Sequence, residues 1–346
     1  MKVLHLVSSP RFAGVERYIA LVAPVLAARG WDVTVAGGDP AGMQPLLDGS
    51  GVRFVPSRNV AEAAWRAART RGVDVVHLHM TAAEWAAVPV RRFTCAAYVS
   101  TRHFAARRGR SGVVRRLSRL VPRVLDQQVA ISSFVAAALG EPAVVVLNGV
   151  PVRDSTAAGE RERVVLVLQR LAPEKDTRLA LDAWARSRAP ADGWRLLIAG
   201  KGPLTADLRA HSTSLGIDAS VDFLGLRRDA DVLLDRAGIL LATAPAEPFG
   251  LSVVEAMAAG VPVVAAAGGA HLETVGSCTA DYLFPPGDAG ACAARLDALV
   301  ADAGSRAAYG IALQRHQREH FDLEDHVDRL VEVYQAAIAT RRRAVK

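Results

Sequence analysis

The sequence predicts an α/β protein made of two successive doubly wound units. Three observations predict it: short, almost continuous apolar runs recur along the chain, amphipathic stretches separate them, and the alternation lapses once near the middle before restarting. Strands that are apolar on both faces belong to parallel sheets covered by helices on either side. With 346 residues, the chain is long enough for two domains with full cores.

In the first half, KVLHLV, WDVTVAG, VRFV, VDVVHLH, AAYVS, QVAI and VVVLN read as strands. Glu16 to Arg29 and Val60 to Arg71 carry helical spacing between them. Pro24 removes an internal hydrogen bond and is expected to kink the first helix. Pro151 to Arg163, PVRDSTAAGERER, is polar and aperiodic and reads as a linker. It separates a first domain, residues 1–152, from a second, residues 153–324. Residues 325–346 are expected to form a C-terminal helix packing back toward the first domain, with RRRAVK as a frayed end. The second alternation runs through VVLVL, WRLLIAG, VDFLG, ILLAT and VPVVAA. Ligands of doubly wound sheets bind at the carboxyl ends of strands, so a cleft between the units is the expected site.

Composition narrows the chemistry. An apolar fraction of 51% with 22% charged residues fits an ordinary globular protein. No apolar run approaches the roughly 18 residues of a membrane span. The opening MKVLHLVSSPRF is too short in apolar residues for a secretory signal. Cys95, Cys278 and Cys292 lack metal-site spacing and fit a reduced cytosol, so a cytoplasmic protein is expected. The formal charge of +7 favours anionic partners: nucleic acid, anionic lipid or phosphorylated small molecules. Aromatics at 5%, with no rings interleaved in a basic stripe, make nucleic acid an unexpected partner.

Next come the loops at strand ends. SSPRFAG, after the first strand, has only Gly14 where a dinucleotide fingerprint needs three glycines, and no P-loop motif occurs. In RLAPEKD, Arg170 and Lys175 follow the second domain's first strand. Two cations there can clamp a diphosphate; taken alone they read as solvated surface charges, and the motifs around them favour the clamp. In EPFGLSVVEAMAAGVPVVA, Glu247 precedes a proline and so belongs to a loop. Leu251 to Ala259 reads as a helix stopped by Gly260, with Val261 to Ala265 as a buried strand. The first amides of such a helix form an anion site. Ser252-x-x-Glu255 also matches a capping box, an alternative use for Glu255. His103 follows a strand, and the adjacent Arg102 points to the opposite face. His77 and His79 share one strand face; without further ligands at suitable spacing they read as strand-end packing and cleft lining, not as a metal site.

Arg102 to Arg123 holds eight arginines and no acid. Val113, Val114, Leu117, Leu120 and Val124 follow helical spacing, with Arg115, Arg116, Arg119 and Arg123 on the remaining surface. Three readings stand: contact with an anionic membrane, a packed helix whose solvent face is basic, or attraction of a phosphorylated acceptor.

Taken in order, the Gly14 loop, DVVHLH, LNGV, RLAPEKD, GKGP, FLG, the two acids of EPFGLSVVEAMAAGVPVVA, GGAHLE and FPPGD resemble the retaining nucleotide-sugar glycosyltransferases of family 4. The resemblance covers nearly the whole chain, and the E-x7-E element followed by G-x-P-V-V is specific. It implies the glycosyltransferase-B type: two Rossmann-like domains facing a central cleft. A nucleoside-diphosphate sugar would bind mainly to the second domain. A glycan, lipid-linked or small-molecule acceptor would bind mainly to the first. The reaction implied is transfer to an acceptor hydroxyl with retention, the nucleotide sugar being a co-substrate and no cofactor being required. Arg170, Lys175 and the helix start would neutralise the departing diphosphate, and no D-x-D motif lies at a convincing strand end, so metal independence is expected. Glu247 would reach the transferred sugar, His103 would approach it, and Glu255 would bind the ribose hydroxyls. Gly14, Gly200, Gly202, Leu226, Phe249, Gly250, Leu251 and Gly269 complete the implied donor-binding set; Glu273 is as readily a helix-start charge as a ligand. Three positions depart from the family pattern. Gln169 stands where glycine is usual, which would crowd the diphosphate loop. Lys201 replaces an acid between Gly200 and Gly202, and Ser133 stands where an acid is frequent. A same-fold epimerase or phosphorylase, or a non-catalytic nucleotide-binding protein, are the alternatives.

Overall fold

A computed structural model describes residues 1–8, 12–57, 62, 72–106, 108, 118, 121–153 and 161–345. The chain divides into two compact units, residues 1–149 with 323–346, and residues 150–322. The helix expected over Val60 to Arg71 and the middle of the linker lie outside the described residues.

Seven parallel strands form the first unit's sheet. They are β1 (Lys2–Val7), β2 (Asp32–Ala36), β3 (Arg53–Val55), β4 (Val75–His79), β5 (Ala97–Arg102), β6 (Gln127–Ala130) and β7 (Val144–Val145). Their spatial order is β3-β2-β1-β4-β5-β6-β7. The order reverses between β1 and β4, which is where a doubly wound sheet opens a crevice for ligands. In that pair His5 sits opposite His77, and Val7 opposite His79. Leu4, Leu6, Val76, Leu78 and Tyr98 pack together on one side of the sheet, all nearly inaccessible to water. The helix Gly14–Ala28 continues through Pro24 as one element. The proline falls near its last turn, and burial of Tyr18, Ile19, Val22 and Leu26 outweighs one lost hydrogen bond. The closing helix, Leu323–Val345, packs within this unit against Gly14–Ala28 and β5. Arg29 anchors it through Asp328 at 2.5 Å and Glu324 at 2.5 Å.

In the second unit six parallel strands, β8 (Val164–Leu168), β9 (Arg195–Ala199), β10 (Val221–Gly225), β11 (Ile239–Ala242), β12 (Val263–Ala266) and β13 (Leu283–Phe284), lie in the order β10-β9-β8-β11-β12-β13. The reversal here falls between β8 and β11. The edge strand β13 is two residues long and is cut short by Pro285 and Pro286, so no apolar run reveals it in sequence. No helix among the described residues is long and apolar enough to cross a membrane.

Candidate active site

In the second unit the loops after β8 and β11 meet at the reversal point. Lys175 leaves the first loop and places Nζ 2.5 Å from Oε2 of Glu247 on the second. Both side chains are largely buried. The loops are fastened by Gln169, whose Nε2 shares its two hydrogens among the Lys175 carbonyl (3.0 Å), Thr177 Oγ1 (3.0 Å) and Thr243 Oγ1 (3.1 Å). Thr243 in turn donates to the Lys175 carbonyl at 2.8 Å. Gln169, which stands where the family pattern has glycine, thus braces this loop through its side chain. Asp176 follows in the left-handed region (φ +46°), where its carboxylate accepts from Leu179 N and starts the helix Thr177–Arg186.

Glu247 is held by its backbone as well. Its carbonyl accepts from Ala270 N at 2.8 Å, and it bridges to Gly269 in parallel fashion. Gly269 has φ +59°, and a Cβ there would lie 2.3 Å from the Glu247 carbonyl oxygen, so only glycine fits. Gly200 and Gly202 serve a similar close approach: added Cβ atoms would meet the Gln169 and Leu171 carbonyls at 1.9 and 2.0 Å. These two glycines let the loop after β9 cross the loop after β8.

The helix Leu251–Ala258 begins beside Glu247. Its N-cap is Gly250, left-handed at φ +87°, and no side chain caps it. Ser252 is therefore already inside the helix, which overturns the capping-box reading of Ser252 and Glu255. A capping box requires the serine at the N-cap. Glu255 sits on the second turn, half-buried.

Other sequence-derived positions behave differently. Arg170 pairs with Glu174 four residues on, both about half exposed, so the structure joins Lys175 to Glu247 but not Arg170 to Lys175. Phe249 is 2% exposed and packs edge-on against Phe321, so it supports the loop from the core. Leu226 is exposed, and Leu251 is half-buried at the helix start. His271, inside GGAHLE but not singled out from sequence, is buried beneath Glu247. Its Nδ1–H donates to the Ala266 carbonyl at 3.0 Å, and its Nε2 lone pair has no partner. Burial holds it neutral against the pull of Glu247.

The first unit's reversal point carries histidines. His5 Nδ1 lies 3.0 Å from His79 Nε2, and His79 Nδ1 lies 3.1 Å from His103 Nε2. His77 bonds Tyr334 through Nδ1 (2.6 Å) and Thr101 through Nε2 (2.7 Å). His326 donates Nδ1–H to the Leu147 carbonyl (2.7 Å) and meets the Tyr18 hydroxyl through Nε2 (3.0 Å). Burial drives His5 and His103 down to about 3 and His326 to about 4, with His77 and His79 also well below the usual range. The ligand atoms of His5, His77 and His79 fall within 4.8 Å of one another. His5 is the further imidazole that spacing along β4 could not supply. The clue lay in parity, since β1 places His5 on the face that His77 and His79 share. Gly14 opens the helix Gly14–Ala28, with nothing near an added Cβ.

Much of the basic stretch, including Val113, Val114, Leu117 and Leu120 with Arg115, Arg116 and Arg119, lies outside the described residues. At its start, Arg102 and Arg108 turn inward. Arg108 forks onto buried Glu84 at 2.6 and 2.7 Å, and Arg102 lies 3.9 Å from the same carboxylate. Arg123 is exposed.

Two family models match in succession: Glycosyltransferase Family 4 over residues 12–154 and Glycosyl transferases group 1 over residues 151–316. The chain is 30% identical to the phosphatidyl-myo-inositol mannosyltransferase of Mycobacterium leprae over 317 residues, 83% of each chain. It is 33% identical to an exopolysaccharide phosphotransferase of Streptomyces coelicolor over 152 residues, 43% of this chain. That match spans only 16% of the relative's length, and several other curated relatives are likewise matched over less than half their length. Among solved structures, HepE of Anabaena in complex with UDP and glucose superposes with a TM-score of 0.83 at 22% identity, covering 97% of this chain and all of that one, which establishes the fold. With two Rossmann-like units, motifs in family order and an M. leprae relative matched over most of both lengths, the chain belongs to glycosyltransferase family 4, of the glycosyltransferase-B type.

Proposed function

We propose that this glycosyltransferase moves a sugar from a nucleoside-diphosphate sugar to an acceptor hydroxyl, with retention of configuration and without a metal ion. One observation carries the reading: the Lys175–Glu247 pair stands at the reversal point between β8 and β11, beside a helix that starts at a left-handed glycine, Gly250. A diphosphate accepts hydrogen bonds from the amides of Leu251 and Ser252, where the helix dipole also favours negative charge. Lys175 releases Glu247 to the sugar hydroxyls and turns toward the phosphate, and Arg170 exchanges Glu174 for the same anion. The leaving group thereby gains two cations and a helix start as its charge develops. Glu255 receives the ribose hydroxyls, and His103 approaches the reacting sugar.

Retention without a covalent intermediate is the proposed course, with the acceptor attacking on the face the diphosphate leaves. Relatives are described as a GDP-mannose-dependent phosphatidylinositol dimannoside mannosyltransferase, a phosphatidyl-myo-inositol mannosyltransferase and a D-inositol 3-phosphate glycosyltransferase. These names, with the net charge of +7, favour a phosphate-bearing acceptor, soluble or lipid-linked. A cytoplasmic protein touching the inner membrane face through its basic stretch fits that acceptor, and binding to acidic but not neutral liposomes tests this contact.

The decisive test is a thermal-shift panel of UDP-, GDP- and ADP-sugars in excess EDTA, followed by product analysis at the anomeric carbon. One donor raises Tm, since a ligand that binds the folded state stabilises it, and its sugar reaches the acceptor with its configuration kept. Stabilisation by none of the donors, loss of transfer in EDTA, or an inverted product contradicts the corresponding part of the proposal.

A further inference from the structure

His5, His79 and His103 form a ladder whose two ends differ. At one end, His5 is fully enclosed and its Nε2 has no hydrogen-bond partner. At the other, His103 keeps 7% of its surface exposed, and its Nδ1 has no partner among the described residues. Each neutral imidazole carries one N–H and one lone pair. The two links, 3.0 and 3.1 Å, therefore allow two orderings of protons. In one, every ring is protonated on Nδ1, and the ladder starts from a bare lone pair on His5 Nε2. In the other, every ring is protonated on Nε2, and the ladder ends in a buried N–H on His5 that nothing accepts. Orphaned buried N–H groups are the rarer defect in folded proteins. Which nitrogen of a histidine is protonated follows from the bond its other nitrogen makes.

From this geometry we infer that His5 and His79 are positioning residues that fix His103 as the Nδ1–H tautomer, so that His103 offers its ligand a hydrogen-bond donor rather than a base. The inference rests on the proposed placement of His103 against the substrate. Nδ1–H is the form that an unconstrained histidine side chain populates less in water, so the neighbours must impose it. Met80, directly after His79, is held in the left-handed region at φ +72°. That turn starts the helix Met80–Val90 immediately after β4 and so sets where His79 ends its strand. His77 stands aside from the ladder, because Thr101 and Tyr334 occupy both its nitrogens. Burial keeps all three ladder rings neutral through the physiological range, so the ordering persists where the enzyme would work.

The test is a long-range 15N correlation spectrum of the histidine-labelled full chain without ligand at pH 7.5. Bare and protonated ring nitrogens are resolved, and His103 is assigned by the signals lost in His103→Gln. The expected result is a protonated Nδ1 and a bare Nε2 at His103, His79 and His5. A protonated Nε2 at His103 overturns the inference. In His79→Phe the His103 tautomer should move toward Nε2–H, whereas a purely structural His79 would leave it unchanged. Should that variant not fold, the wild-type spectrum decides alone. No substrate is present, so a chain that transfers no sugar would still show the ladder, and a ladder of the other order would leave the transfer reading standing.

Discussion

Each unit turns its sheet order around once, and the two reversal points use opposite electrostatics. Between β8 and β11 the second unit places a lysine and a glutamate in contact, with an uncapped helix start beside them. Between β1 and β4 the first unit places imidazoles held neutral by burial. The contrast teaches how one fold divides its labour. A site for a doubly charged leaving group needs fixed charges that can exchange partners. A site for uncharged hydroxyls needs directed donors and acceptors that hold their protonation.

The comparison can be broken at several points, taken here in order of expected effect. Glu247→Gln keeps the shape of the loop but removes the charge opposite Lys175. Transfer should fall by about a hundredfold or more, the scale for losing one preorganised polar contact to a reacting centre, and steady-state kcat/KM measures it. An unchanged kcat/KM would make the pair structural.

Acidification should act on the first unit. A folded pKa lowered below about 6.5 means that the unfolded chain binds protons which the folded chain refuses. Stability is then intact above pH 6.5 and lost as pH falls, down to about 4 for His326 and about 3 for His5 and His103. Each such histidine contributes a slope of up to about 1.4 kcal/mol per pH unit. Urea unfolding at pH 7.5, 6 and 5 measures the sum. A flat profile would place these rings in contact with water and remove the contrast.

Gly269→Ala should cost roughly 2 kcal/mol or more, because the new Cβ meets the Glu247 carbonyl and the backbone is left-handed. Donor KM should rise with it, since the same carbonyl positions Glu247; a Tm unchanged within a degree would contradict the close approach. The smallest effect is expected at Arg170. Its side chain is half exposed and tied only to Glu174, so Arg170→Ala should raise donor KM by about tenfold or less at low salt, and by less still at high salt. A loss as large as that of Glu247→Gln would mean that Arg170 leaves Glu174 early and carries the diphosphate.

Most strands were legible because burial on both faces leaves an apolar signature of five or six residues, as in VVLVL and KVLHLV. β13 was not, because its two residues run straight into Pro285 and Pro286, whereas the equally short β7 lies within the apolar run VVVL. In the site, Glu247 and Lys175 were legible as polar residues at strand ends, but their contact was not: it depends on which strands are neighbours in space. The same holds for the histidines. His77 and His79 could be read from spacing, whereas His5 and His326 reach them from strands and helices distant in sequence. Gln169 was visible as a departure, but its bracing of the loop was not, since its partners Thr177 and Thr243 come from other segments. The capping box failed at the N-cap, where a left-handed Gly250 starts the helix two residues before Ser252.

The central claim is that the reversal point between β8 and β11 holds a nucleoside diphosphate through Lys175 and the start of Leu251–Ala258. Calorimetric titration of UDP, GDP and ADP into the full chain, and into Lys175→Ala, in excess EDTA tests it most directly. One nucleotide should bind at a single site and lose about tenfold or more in affinity in the variant. Equal affinity for both proteins, or no binding until a divalent ion is supplied, would contradict it.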